Sequence, residues 1–192
     1  MNKNRKFAVI VILVTNAILI SFLEAFIPIP VPVPGVKLGL GNIITMIGIA
    51  FLELKDVIFI VVVRCLVVAI LTRGVTMLAF SLSGGILSAL VMWFLYKKLN
   101  KYFSIKGISM AGAIVHSTAQ IIVASIILGQ TVVIFYLPIL LISSVITGFI
   151  TGKIGELAIF EVSQKDIFSE GKLTRKDAIG YGKRYNFDQS NY

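Results

Sequence analysis

The chain has 192 residues, of which 57% are hydrophobic and 14% charged, and its mean hydropathy is +0.96. Soluble domains have roughly 45–50% apolar residues, so this composition excludes an ordinary soluble enzyme. The net charge of +9 does not indicate nucleic-acid binding, because the basic residues flank long apolar runs, as in membrane proteins. A single cysteine and a single histidine exclude a disulfide framework and a Cys- or His-rich metal centre, so no metal and no cofactor is expected.

Six apolar runs predict six transmembrane helices in the lipid bilayer. They cover residues 7–26, 38–52, 57–71, 76–96, 108–128 and 131–152. The second and third runs are shorter than the ~20 residues that cross the hydrocarbon core, so re-entrant or tilted segments stay open as alternatives there. Nearly all Lys and Arg residues fall on the side of the N-terminus, which places both termini in the cytoplasm of a cell-membrane protein. We predict an all-α, polytopic membrane domain over 1–152 and a basic cytoplasmic tail over 153–192, partly disordered.

The first run leads into a proline-rich segment. Proline stands at every second position, followed by glycine: Pro28, Pro30, Pro32, Pro34 and Gly35. Proline fixes φ and lacks a backbone N–H, so a helix cannot pass through this segment. An extended, polyproline-like strap at the outer surface is predicted. Its apolar residues leave two interpretations open, a stiff linker or a gate over a pocket.

A cation and an amide mark the start of the second run. Lys37 and Asn42 flank a glycine-containing turn there. Helix N-termini attract anions, so these residues are candidates to hold a carboxylate or phosphate. In the alternative interpretation, Lys37 extends to the membrane interface and Asn42 hydrogen-bonds another helix.

Arg64 stands at the centre of the third run. Ionisable groups at membrane depth need a polar partner in the protein interior. Glu24, at the outer end of the first run, is the acid placed to pair with it. Two interpretations stay open: a structural Arg64–Glu24 ion pair, or an arginine that binds an anionic ligand.

The fifth run carries His116 and Gln120, which share one helical face because they are four residues apart. This face either packs against a neighbouring helix or lines a ligand chamber. Small residues with the same spacing in the sixth run, Ser144, Gly148 and Gly152, favour close helix packing.

Six polar residues lie in the middle or outer half of the bilayer in this topology. They are Glu24, Lys37, Asn42, Arg64, Arg73 and Gln120. Three are cations and one is an acid, so the predicted chamber opens outward and prefers an anion. The acids do not form an Asp-rich magnesium site, and no nucleotide-binding loop is present. We therefore predict no catalytic residues and no enzymatic activity.

The first outer loop carries a resemblance. It ends in Pro34-Gly35-Val36-Lys37-Leu38-Gly39-Leu40-Gly41-Asn42, and in a short six-span chain this resembles the Gx transporters, a family also labelled heptaprenyl diphosphate synthase component I. That family is similar to the substrate-binding S components of energy-coupling factor (ECF) transporters. The resemblance covers about residues 7–155.

The resemblance implies a six-helix subunit that captures a small micronutrient or precursor, anionic or amphipathic and related to quinones or isoprenoids, under the first loop. It implies docking on a coupling membrane protein with two ATPases, through small residues of the first helix. Here these are Ala17, Ser21 and Ala25. The alternative is a non-catalytic membrane subunit associated with heptaprenyl diphosphate or quinone synthesis.

Overall fold

The computed structural model describes residues 3–27, 37–72 and 74–164, and the regular secondary structure in these ranges is entirely helical. The helices are α1 (Lys3–Glu24), α2 (Asn42–Phe51), α3 (Leu54–Leu71), α4 (Val75–Lys98), α5 (Ile105–Leu128) and α6 (Leu137–Gln164), with a 3₁₀ helix, Thr131–Tyr136, before α6. The predicted all-α class is confirmed.

Four segments are long and apolar enough to cross a membrane. They are Lys3–Glu24, Leu78–Lys98, Ile105–Leu128 and Thr131–Val162. The protein is therefore a membrane protein with several spanning helices. The ten residues of α2 rise only ~15 Å at 1.5 Å per residue, which is half of the hydrocarbon thickness.

Local sequence sets the helix ends at the two turns that lie on the same side as the start of α1. The backbone N–H of Glu53 donates to Asp56 Oδ2 (3.2 Å), which closes the first turn of α3. At the start of α5, Ser104 Oγ accepts from the backbone N–H of Gly107 (3.1 Å). These caps fix where the chain reverses between α2 and α3 and between α4 and α5.

The short helix α2 is the centre of the bundle. It contacts each of the other five α-helices, and nine of its ten residues are buried. Around it, α3 packs between α1 and α4, and α5 packs between α4 and α6. A helix surrounded by protein does not need to match the bilayer thickness, which explains how so short an apolar run is accommodated.

The interface between α5 and α6 is close and partly polar. A Cβ added to Gly148 would lie 2.6 Å from the Cα of Met110, so only glycine permits this approach. Hydroxyl pairs cross the same interface, Ser109 with Thr151 at 2.9 Å and Ser117 with Ser144 at 2.6 Å. The packing role predicted for the small residues of the sixth run is confirmed.

Helix α1 buries one face and exposes the other. Val9, Leu13 and Ala17 belong to the core, whereas Ile12 and Leu19 are exposed on an apolar face suited to lipid. At its start, Lys6 Nζ forms an ion pair with Asp56 Oδ2 (2.8 Å), which ties α1 to α3.

The predicted docking residues of α1 need correction. Ala17 and Ser21 are only 1% and 6% exposed, and Ala25 is half-buried. Their small size serves packing inside this chain, since α1 lies against α3 and α2 through this face. Ala17 and Ser21 therefore do not offer a surface to a separate protein.

Helix α6 extends beyond residue 152, the predicted end of the last span. The segment after it was predicted to be a basic cytoplasmic tail, yet Ile159 belongs to the core and Glu156 Oε2 pairs with Lys106 Nζ at 3.3 Å. The ion pair satisfies the charge within the bundle, so the helix continues to Gln164. The remainder of the predicted tail, the proline strap and Arg73 lie outside the described residues.

Candidate ligand-binding cavity

Six residues proposed from sequence converge at one place in the bundle. Each is at most 7% exposed: Glu24, Lys37, Asn42, Arg64, His116 and Gln120. A cavity of about 290 Å³, counting the space open at its mouth, lies among them. It is lined by Ser21, Glu24, Lys37, Gly39, Gly41, Arg64, Cys65, Val68, Ser81 and His116. Asn42 and Gln120 are not part of the lining; they lie directly behind it.

Glu24 joins the end of α1 to the turn before α2. Its Oε1 accepts hydrogen bonds from the backbone N–H groups of Gly39 (2.5 Å) and Leu40 (3.2 Å). Gly39 has a φ of +86°, a left-handed conformation that disfavours residues with a Cβ. The carboxylate therefore holds a glycine-dependent turn at the cavity wall, and this role was not anticipated from sequence.

Arg64 is held between two glycines. A Cβ added to Gly41 would lie 2.0 Å from Arg64 Nη1, and one added to Gly85 would lie 3.1 Å from Nη2. Both positions thus leave room for the guanidinium by lacking a side chain. Among the described residues, no carboxylate oxygen lies within 4 Å of this guanidinium, so the Arg64–Glu24 ion pair considered from sequence is absent there.

Lys37 is the second buried cation. Its backbone N–H donates to Gln120 Oε1 (3.1 Å), which fixes the loop against α5. Burial lowers the pKa of Lys37, against the opposing effect of the nearby Glu24 carboxylate. Within the described ranges, its ammonium also has no carboxylate oxygen within 4 Å.

The two amides behind the wall present unused donors. Gln120 Oε1 accepts from the backbone N–H of Lys37, and Asn42 Oδ1 accepts from the Ser88 hydroxyl (3.3 Å). Gln120 Nε2 and Asn42 Nδ2 are buried and have no hydrogen-bond partner in the part of the chain that the structure describes. This environment is rich in donors and poor in acceptors, which adds to the positive potential from the two cations.

His116 borders the cavity from α5. Its ring lies against Gly39 and Gly84, where added Cβ atoms would be 3.3 Å from Cδ2 and 3.0 Å from Nδ1. Small residues on α4 and in the turn therefore let α5 bring the imidazole to the wall. The fifth run was predicted either to line a ligand chamber or to pack against a neighbouring helix. His116 lines the cavity, whereas Gln120 packs behind its wall.

Cys65, the chain's only cysteine, also lines the cavity. It is 3% exposed and carries a free thiol. No role was predicted for Cys65, because a cysteine in an apolar run is indistinguishable from an ordinary core residue. In the structure its position beside Arg64 makes it a natural reporter of events in the cavity.

These features define a class: a helical, multi-span membrane protein with a buried, cation-rich cavity near one end of a central short helix. The family model for heptaprenyl diphosphate synthase component I matches residues 13–158, and the chain belongs to that family. Neither the curated proteins nor the solved structures gave a significant match. The matched region includes all six converging residues, and the family label suggested by the sequence resemblance is confirmed.

Proposed function

We propose that this protein is the substrate-binding membrane subunit of an ECF-type uptake transporter and that its substrate is a small organic anion. One observation carries the proposal: Arg64 and Lys37 are buried in the same cavity, and neither has a carboxylate oxygen within 4 Å among the described residues. An ion removed from water without a counter-ion costs several kcal/mol. An anionic ligand would offset that cost at both cations.

The roles follow from position. Arg64 and Lys37 would contact the anion, since both line the cavity, and His116 would contribute to the wall. Asn42 and Gln120 would position these groups from behind, because their acceptor atoms already bind Ser88 and the Lys37 backbone.

The proline strap would serve as the gate. It connects the end of α1 to Lys37, and both flanking ends, at Glu24 and Lys37, line the cavity. Arg73, which follows α3 in the sequence and lies outside the described residues, stays a candidate substrate-binding cation. Uptake would need energy from partners, because the sequence has no nucleotide-binding loop; a coupling membrane protein with two ATPases would supply it.

The test is affinity purification from native membranes in mild detergent, with mass spectrometry of co-eluting proteins and of small molecules released on denaturation. We expect two ATPases, a coupling membrane protein and an organic anion. In Arg64→Ala the amount of anion recovered per protein should fall at least tenfold while the protein stays folded. Lys101→Ala is the matched control, because Lys101 is an exposed cation outside the cavity. Equal anion recovery from Arg64→Ala and the control would contradict the assignment.

The family name supports a second candidate, a membrane subunit that associates with the synthesis of heptaprenyl diphosphate or of quinones. The turn between α4 and α5 would then bind the enzyme, since it exposes Tyr102 (76%) and Lys101. Recovery of a prenyl synthase without ATPases in the same purification would favour this candidate, and Lys101→Ala rather than Arg64→Ala would then weaken the association.

A further inference from the structure

Resting on the proposed function, we infer that the cavity selects a small monoanion, of the carboxylate type, and rejects dianions and diphosphates. Charge balance carries this inference. Arg64 and Lys37 supply two positive charges and Glu24 one negative charge, with His116 counted as neutral, so the cluster has a surplus of one positive charge. A monoanion makes the cavity neutral.

A second negative charge would have no further counter-ion among the described residues of the lining. The part of the chain that the structure describes places no further Lys or Arg in the cavity lining. Buried charges are tolerated when they are paired, and a surplus anion in a low-dielectric site is unfavourable. The site therefore discriminates by net charge as well as by shape.

Glu24 is the residue that sets this balance. Its Oε1 is occupied by the backbone N–H groups of Gly39 and Leu40, so the carboxylate is fixed in place beside the cations. A carboxylate held there repels the second charge of a dianion. Its oxygens lie more than 4 Å from the Arg64 guanidinium nitrogens, so it does not form an ion pair with Arg64. Glu24 is thus a specificity-determining residue as well as a structural one.

Size points in the same direction. The cavity has a volume of only about 290 Å³ even when the space open at its mouth is counted. The long chain of a heptaprenyl group does not fit in this volume. The geometry therefore separates the ligand of the cavity from the diphosphate in the family's name.

The experiment uses Cys65 as the reporter, since it is the only thiol in the chain and lies in the wall. The purified full-length protein is alkylated with N-ethylmaleimide, and the rate is followed by mass spectrometry. The probes are benzoate (monoanion), phthalate (dianion), dimethylallyl diphosphate and the neutral benzamide. We expect benzoate to slow alkylation at a concentration at least tenfold lower than either multiply charged probe, and benzamide to have no effect.

Two variants change the charge balance in opposite directions. Glu24→Gln keeps an acceptor for both backbone N–H groups and raises the surplus to two positive charges. Phthalate should then slow alkylation at a lower concentration than benzoate, and the ratio of the two protective concentrations should shift at least tenfold. Lys37→Met removes the surplus and should abolish protection by benzoate. Glu161→Gln, at an exposed position of α6, is the matched control and should behave as the unaltered protein.

The outcomes separate the two proposals. Protection by phthalate or dimethylallyl diphosphate equal to that by benzoate, or an unchanged ratio in Glu24→Gln, would overturn the monoanion inference while leaving an anion-binding site in place. Protection by none of the anions in any variant would overturn the anion-binding site itself, and with it the proposed function.

Discussion

Replacing Gly41 with alanine should disable the cavity through a single methyl group. The added Cβ would lie 2.0 Å from Arg64 Nη1 and 2.7 Å from Ser21 Oγ, both far inside contact distance. The backbone itself is not strained by the change, because Gly41 has a φ of −58°, which any residue adopts. The effect is therefore purely steric, and the guanidinium must leave its place between the two glycines.

The magnitude follows from the packing. Extra methyl groups forced into a well-packed interior cost about 1–3 kcal/mol. For a chain of this size, 1 kcal/mol corresponds to about 2–4 °C in Tm, so Gly41→Ala should unfold about 2–12 °C lower. Gly155→Ala is the matched control: its Cβ would lie 3.7 Å from Met46 Cγ, an ordinary contact, and alanine favours a helix over glycine by up to ~1 kcal/mol.

The assay combines thermal unfolding in detergent with the Cys65 alkylation rate in the presence of benzoate. In Gly41→Ala the benzoate concentration that protects Cys65 should rise at least tenfold, since Arg64 is displaced. Gly155→Ala should keep its protection, and its Tm should be unchanged or raised by up to about 4 °C. A Gly41→Ala protein with unaltered Tm and unaltered protection would refute the reasoning that glycine here makes room for Arg64.

Two further substitutions test what holds the bundle around the cavity. Glu24→Ala leaves the buried N–H group of Gly39 and the partly buried one of Leu40 without their acceptor. A buried unsatisfied group costs about 1–3 kcal/mol, so the Tm of Glu24→Ala should fall well below that of Glu24→Gln. Equal Tm values would show that these bonds are unimportant. Gly152→Val should separate α5 from α6, because a Cβ at residue 152 would lie 2.7 Å from the backbone Cα of Lys106, which cannot move aside. We expect a loss of folded, monodisperse protein on size-exclusion chromatography. Normal elution of the variant would contradict this packing argument.

The helices were predictable because their signals are local and strong. Long apolar runs separated by turns identify the spans, and caps such as Ser104 fix where they begin. The end of α6 was missed because the residues after 152, Glu156 among them, were assigned to the cytoplasmic tail. The partner of Glu156, Lys106, lies fifty residues earlier in the chain, and pairing across that distance is not visible in the sequence.

The cavity was predictable in composition but not in arrangement. Arg64 stood out since a charge in an apolar run is costly, and the structure places it beside Lys37 and Glu24 as expected. The roles of Gly41 and Gly85 were not predictable, because a glycine that makes room for a distant side chain has no signature of its own. Ala17 and Ser21 show the converse problem: a small-residue spacing predicts a close contact but does not say with which helix.

The two ends of the bundle are stabilised in different ways, and this difference bears on how a ligand would act. On the side where α1 begins, helices are tied by direct ion pairs, Lys6 with Asp56 and Lys106 with Glu156. At the cavity, α1 is tied by Glu24 to a backbone turn, and the buried cations lack such pairs within the described residues. An anion that bound there would complete the charge balance at the less satisfied end, so its binding should stabilise the position of the turn before α2 far more than that of the opposite end.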